Sequence, residues 1–106
     1  MLNHKEQLAV AAFKNKLQNI YKLEKVILFG SKARGDSVAD SDIDLLVLLN
    51  QLVDNTLEEE IFGIAFDVEF EYDIVLGVIV KNSVSWKEKE IYYPLGQNIG
   101  REGIAA

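Results

Sequence analysis

Apolar side chains return at helical intervals along the first part of the chain, at Leu8, Ala12, Phe13, Leu17, Ile20 and Tyr21, with Lys and Gln on the far side. That spacing predicts an amphipathic packing helix over residues 5–23. The period then shortens. Residues 25–29, KVILF, form a β-rich run halted by Gly30, and residues 42–49, DIDLLVLL, form a second run that is apolar on both faces after Asp44. Continuous apolarity of this kind suits a central strand covered on each side.

Beyond residue 50 the helical period returns. Thr56, Leu57, Glu58 and Glu59 fit a capping box with Thr56 as N-cap, so a helix is expected from there to about residue 69. Its stripe is Leu57, Ile61, Ile64, Ala65 and Val68, and the acidic run Glu58 to Glu60 falls where a helix N-terminus favours negative charge. Residues 72–80, YDIVLGVIV, read as a third strand weakened by Gly77. Ser85, Trp86, Lys87 and Glu88 offer another capping box for a short helix to Tyr92, which Pro94 interrupts before a last helical turn or two. The predicted order is helix, strand, turn, strand, helix, strand, helix. That is an α/β or α+β chain, a sheet with helices on its faces.

The composition agrees with a single domain over residues 1–106: 49% hydrophobic and 26% charged residues suit a globular chain with its own core. Without cysteine there is neither a disulfide framework nor a thiolate metal site, and the N-terminal stretch lacks the uninterrupted apolar core of a signal peptide. No segment approaches the roughly 20 apolar residues that span a bilayer. A cytoplasmic protein without membrane association is expected. The net charge of −6 argues against broad binding to nucleic-acid backbone. Charge distribution says more: between Val26 and Val80 the only basic residues are Lys32 and Arg34.

Both cations fall in the stretch FGSKARGDSVADSDIDLLV, which also holds Asp36, Asp40, Asp42 and Asp44. In an extended chain, residues i and i+2 share a face about 6–7 Å apart, so Asp42 and Asp44 project together. At an effective dielectric near 20, two such carboxylates repel by roughly 2.5 kcal/mol. A divalent cation between them reverses that cost. Oxygen ligands of this kind suit Mg²⁺, which binds through one or two carboxylates plus substrate phosphates. Gly30 lets the backbone approach a ligand closely, Ser31 adds a hydroxyl, and Arg34 and Lys32 supply positive charge for a phosphate group.

Other phosphate and metal motifs fail on the letters. Gly30 and Gly35 have P-loop spacing, but Asp36 and Ser37 stand where Lys and Ser/Thr must follow. Asp40, Asp42 and Asp44 match the opening of an EF-hand, yet Leu45 replaces its glycine and Gln51 its bidentate glutamate. The single histidine, His4, cannot make a zinc site alone.

GSKARG followed by SDIDLLV resembles the two-part signature of the DNA polymerase β-like nucleotidyltransferase superfamily, and the small size resembles its minimal nucleotidyltransferase (MNT) branch. The similarity covers Val26 to Val47, and the ending YYPLGQNIGREGIAA looks like the tail of MNT-like domains. The resemblance implies a small mixed sheet flanked by helices. It implies ATP or another nucleoside triphosphate held by Gly30 and Ser31, with Lys32, Arg34 and Ser41 in the phosphate-binding set. Two Mg²⁺ ions would be held by aspartates, Asp42 and Asp44 among them, in a two-metal transfer of NMP. A third carboxylate from the neighbouring strand is also implied. Asp73 is the candidate, with Glu71 second, whereas alignment at Gly77 would leave a site that binds nucleotide and catalyses poorly.

Two functions are therefore expected to compete. One is a metal-dependent nucleotidyltransferase that moves AMP, or another NMP, onto a hydroxyl of a protein or small molecule. The resemblance adds a HEPN-domain partner, with the chain as MNT antitoxin. The other is a non-catalytic, partner-neutralising subunit with a degenerate nucleotide pocket. Trp86, Tyr92, Tyr93 and Leu95 would pack on the sheet or form a homo-oligomer surface.

Overall fold

The computed structural model describes residues 2–37 and 41–106. The first helix, α1 (His4–Ile20), starts at a capping box that the apolar spacing did not reveal: Asn3 Oδ1 accepts from the Glu6 N–H at 2.8 Å, and Glu6 Oε1 accepts from the Asn3 N–H at 2.9 Å. Its inner face is Ala9, Val10, Phe13 and Leu17. Leu8 and Ile20, expected in that stripe, face outward.

Strand β1 (Leu23–Phe29) leads through a one-turn helix, α2 (Ser31–Arg34), toward β2 (Ile43–Leu49). The two strands pair antiparallel with Phe29 opposite Asp44. Helix α3 (Asn55–Tyr72) then returns the chain so that β3 (Leu76–Asn82) lies parallel to β2, with Asp44 opposite Gly77. A parallel neighbour needs such a crossover, and the helix supplies it. Helix α4 (Ser83–Lys89), a 3₁₀ turn (Glu90–Tyr92) and α5 (Pro94–Glu102) follow, and β4 (Ile104–Ala105) pairs antiparallel with β1. The result is an α+β chain built on a four-stranded mixed sheet, in the order β3-β2-β1-β4.

β2 is central, as its double-sided apolarity predicts. Leu45, Val47 and Leu49 pack with Phe13, Leu17, Ile61 and Val68 on the α1/α3 side, while Leu46 and Leu48 pack with Ile99, Ile27, Ile79 and Trp86 on the α5 side. Tyr21 adds a polar tie between α1 and α3: its hydroxyl donates to Glu60 Oε1 at 2.9 Å, and burial first, then that carboxylate, push the phenol up to about 12.

Several boundaries differ from the sequence reading. The N-cap of α3 is Asp54, whose Oδ1 accepts from the Leu57 N–H at 2.9 Å, and not Thr56. Helix α3 runs to Tyr72 and ends on Asp73 in a left-handed conformation (φ 54°), so β3 begins four residues later than expected. Asn82 rather than Ser85 caps α4. Pro94 opens α5 instead of breaking a helix, since its missing N–H and fixed φ suit a first helical turn.

Candidate active site

Where β1 ends, Gly30 takes φ 75° and ψ −157°, a backbone that L side chains rarely adopt, and turns the chain into α2. The conformation brings its Cα against the Asp44 carboxylate. A Cβ built there would collide with Asp44 Oδ2 and stand 3.2 Å from Cγ. On the other flank, a Cβ at Gly77 would lie 2.7 Å from Asp44 Oδ1. The carboxylate of the central strand therefore occupies a slot left by two missing side chains, one at the turn and one across the parallel ladder.

Asp42 lies just ahead of β2 and is exposed. Its charge reaches Asp44, whose pKa is raised by burial first and by Asp42 second, while Arg34 acts in the opposite direction. Asp44 is thus a half-buried carboxylate pressed by a like charge, with no hydrogen bond to a described residue. An oxygen pair in that state fits a divalent cation shared with phosphate oxygens.

Asp73, expected as the third carboxylate from the neighbouring strand, lies ahead of that strand rather than in it. Asp73 caps α3, three residues before β3, where its carbonyl accepts a 3.4 Å bond from Lys5 Nζ. Glu71 is an exposed residue of α3. The strand register instead places Gly77 next to Asp44. Among the described residues no set of three His, Cys, Asp or Glu side chains is grouped to hold a metal ion. The cause of the shift is the length of α3, which takes Tyr72 into the helix and Asp73 into its cap.

Lys32 and Arg34 part company because two residues of a helix step are about 200° apart. Lys32 turns inward, is 3% exposed, and places Nζ 2.8 Å from Glu6 Oε2. The side chain expected to contact phosphate is thus paired with a carboxylate of α1. Arg34 turns outward and pairs with Asp36 at 3.1 Å and with Glu102 at 3.1 and 3.2 Å. Glu102 Oε1 also accepts the Gly30 N–H at 3.2 Å. The carboxylate at the end of α5 hence sits between the turn amide and the guanidinium, where an anion is held by a backbone N–H and a fork of donors. Spacing gave no sign of Glu102, which is 72 residues from Gly30 in sequence.

Ser31 opens α2 immediately after Gly30 and is half-buried. Ser41 precedes Asp42, and its Oγ is shielded from solvent with no hydrogen-bond partner among the described residues. It lines a cavity of about 280 Å³ with Asn3, Lys5, Glu6, Asp73, Ile74 and Val75, which neither Asp42 nor Asp44 lines. The structure thus gathers Gly30, Arg34, Asp42 and Asp44 at the strand ends, while Ser41, next to Asp42 in the chain, lines a cavity together with Asp73. Asp40 lies outside the described residues.

A family model for a nucleotidyltransferase domain matches residues 10–93. A candidate protein adenylyltransferase of Methanocaldococcus jannaschii is 37% identical over 73 residues, covering 67% of this chain and 74% of that protein. In structure the chain is similar to a toxin-antitoxin crystallised with AMP-PNP, with a TM-score of 0.64, 21% identity, and coverage of 97% of this chain and 72% of that one. It is also similar to a complex of tri-AMPylated Shewanella oneidensis HEPN toxin with MNT antitoxin, at a TM-score of 0.59 and 23% identity over 95% of this chain and 70% of that one. At these identities the structural likeness speaks to the fold alone.

Proposed function

Since the chain belongs to the nucleotidyltransferase domain family, we propose that it is a protein adenylyltransferase, moving AMP from ATP to a hydroxyl of a partner protein through Asp42 and Asp44. The observation that carries this reading is the slot at Asp44: Gly30 and Gly77 both lack the side chain that would fill the space around its carboxylate. A strand-end carboxylate kept clear by two glycines, beside a like charge, is arranged for a ligand rather than for folding.

Each group then has a part. Gly30 presents its N–H, and Arg34 its guanidinium, to the triphosphate after Glu102 gives way. Asp42 and Asp44 would hold a divalent cation, Mg²⁺ by the chemistry of their oxygens, which would offset phosphate charge and favour the ionised acceptor hydroxyl. In the transfer the acceptor oxygen forms its bond to the α-phosphorus, the bond from that phosphorus to the pyrophosphate oxygen breaks, and pyrophosphate leaves. The acceptor proton passes to solvent or to the Asp42 carboxylate. ATP as donor goes with a cytoplasmic reaction.

A HEPN-type toxin as acceptor is supported by the Shewanella complex, whose toxin is AMPylated and whose MNT partner has this fold. The glycine opposite Asp44 favours a second reading, in which transfer is slow and the chain neutralises its partner chiefly by binding it. The two part in one assay. A HEPN-domain protein incubated with ATP labelled at the α-phosphate, Mg²⁺ and this chain is expected to take up label, and Asp44→Asn should abolish the uptake. Stable association with the toxin and no label above the Asp44→Asn background would leave only the second reading.

A further inference from the structure

The outer face of α3 carries a feature that nucleotide transfer does not use. Phe62, Phe66 and Phe70 follow one another at four-residue steps and are 44%, 64% and 85% exposed, while Leu57, Ile61, Ala65 and Val68 fill the inner face. Four-residue steps on a helix of 3.6 residues per turn lay the rings in one oblique ridge. Three adjoining exposed phenylalanines are a costly surface for a solvated helix and mark a contact site.

Charge decides what fits it. The eighteen residues of α3 include six acidic side chains and no Lys or Arg. Of these, Glu59, Glu60, Asp67 and Glu71 are exposed and form no ion pair among the described residues. Acidic flanks of this kind repel nucleic acid and anionic membrane surfaces. Two α3 ridges face to face would likewise oppose carboxylate to carboxylate with no cation between them, so a symmetric dimer through this face is disfavoured. A partner with apolar residues between Lys and Arg matches both the rings and the charge.

We propose that the Phe62, Phe66 and Phe70 ridge docks a basic amphipathic helix of the acceptor protein. The proposal rests on the adenylyl-transfer reading and assigns the surface that grips the acceptor. Its position serves that role. The C-terminal end of α3 passes through Asp73, Ile74 and Val75 into β3, whose first residues lie beside Ile43 and Asp44. Phe70, the most exposed ring, therefore stands at the end of the helix that feeds the active site, and a helix held there brings its protein to the aspartate pair. Aromatic anchors with a charged rim are the usual core of such contacts.

The test uses the full chain and a Phe66→Ser/Phe70→Ser variant, whose changes lie on the surface. The probe is a fluorescent synthetic helix of alternating leucine and lysine faces, with a leucine-glutamate helix as control, followed by anisotropy at low and high salt. MgATP binding by calorimetry is read on the same samples. The expected result is binding of the lysine helix alone, weakened by salt and by about tenfold or more in the variant, with MgATP affinity unchanged. Equal binding by wild type and variant, or equal binding of the acidic helix, would overturn the proposal. So would wild-type self-association in sedimentation that the variant loses, for then the ridge meets a second copy. Loss of MgATP binding in wild type strikes the adenylyl-transfer reading instead, and leaves peptide binding to be judged by itself.

Discussion

Asp44 holds its carboxylate between two glycines, and the two positions differ in a way that substitution can read. At Gly30 an added Cβ meets the Asp44 carboxylate and the backbone is also left-handed in φ, whereas at Gly35, with φ 80°, nothing lies within 4 Å. Gly30→Ala is expected to cost about 2–4 kcal/mol, strain and collision together, and to weaken MgATP binding; Gly35→Ala should cost only about 1 kcal/mol, from strain, and leave binding alone. Chemical denaturation and calorimetry on the two variants check the contrast. Equal costs would show that Asp44 is not confined by the turn. Glu102 provides a second test. Its carboxylate holds both the Gly30 N–H and Arg34, so Glu102→Gln, which weakens an anion's grip on those donors, should tighten ATP binding several-fold. An unchanged or weaker affinity would mean that Glu102 orders the cradle rather than competes for it.

At the scale of elements, α2 sorts the two central cations by its periodicity, sending Arg34 to the site and Lys32 into the interior against Glu6. For Glu6, burial favours the neutral acid, but the hydrogen bond from Lys32, the Asn3 N–H and the Lys32 charge outweigh it and leave the pKa below its ordinary value of 4.5. A depressed carboxylate contributes stability that is present above that ordinary value and is lost as the pH falls through the folded one. Glu6→Gln is therefore expected to destabilise the fold by about 3 kcal/mol at neutral pH, since it leaves a buried ammonium facing an amide, and by less under acid. Thermal unfolding across a pH series checks this, and a loss independent of pH would contradict it. Much of this level was legible beforehand: the β1, turn and β2 unit is written in local letters, an apolar run, a glycine and a second run. The end of α3 was not, because Tyr72 and Asp73 carry neither a glycine nor a proline to mark a stop. An aspartate in the left-handed cap then did what a glycine signal would have announced, and Asp73 moved out of the strand.

For the whole molecule, a sheet with helices on its faces follows from periodicity, since a central strand that is apolar on both sides requires cover on both, whereas its mixed direction was implied only by the family resemblance. The relations that complete the site are long-range. That Gly77 stands opposite Asp44 depends on the register of a parallel crossover, and that Glu102 reaches Gly30 depends on where α5 packs; neither leaves a local trace. The two-residue strand β4 was invisible for the same reason, as its pairing with Ile27 and Leu28 gives it its identity. Net charge belongs to this scale too. At −6 the chain repels a free triphosphate over much of its surface, so nucleotide should bind as its magnesium complex or hardly at all. Calorimetric titration of ATP into wild type and Asp44→Asn, each with Mg²⁺ and with EDTA, puts the central claim to the most direct test. The account predicts wild-type binding that is lost at least about tenfold on chelation, together with an Asp44→Asn protein for which metal makes no difference. Equal Mg²⁺-dependent affinity in the two proteins would contradict it.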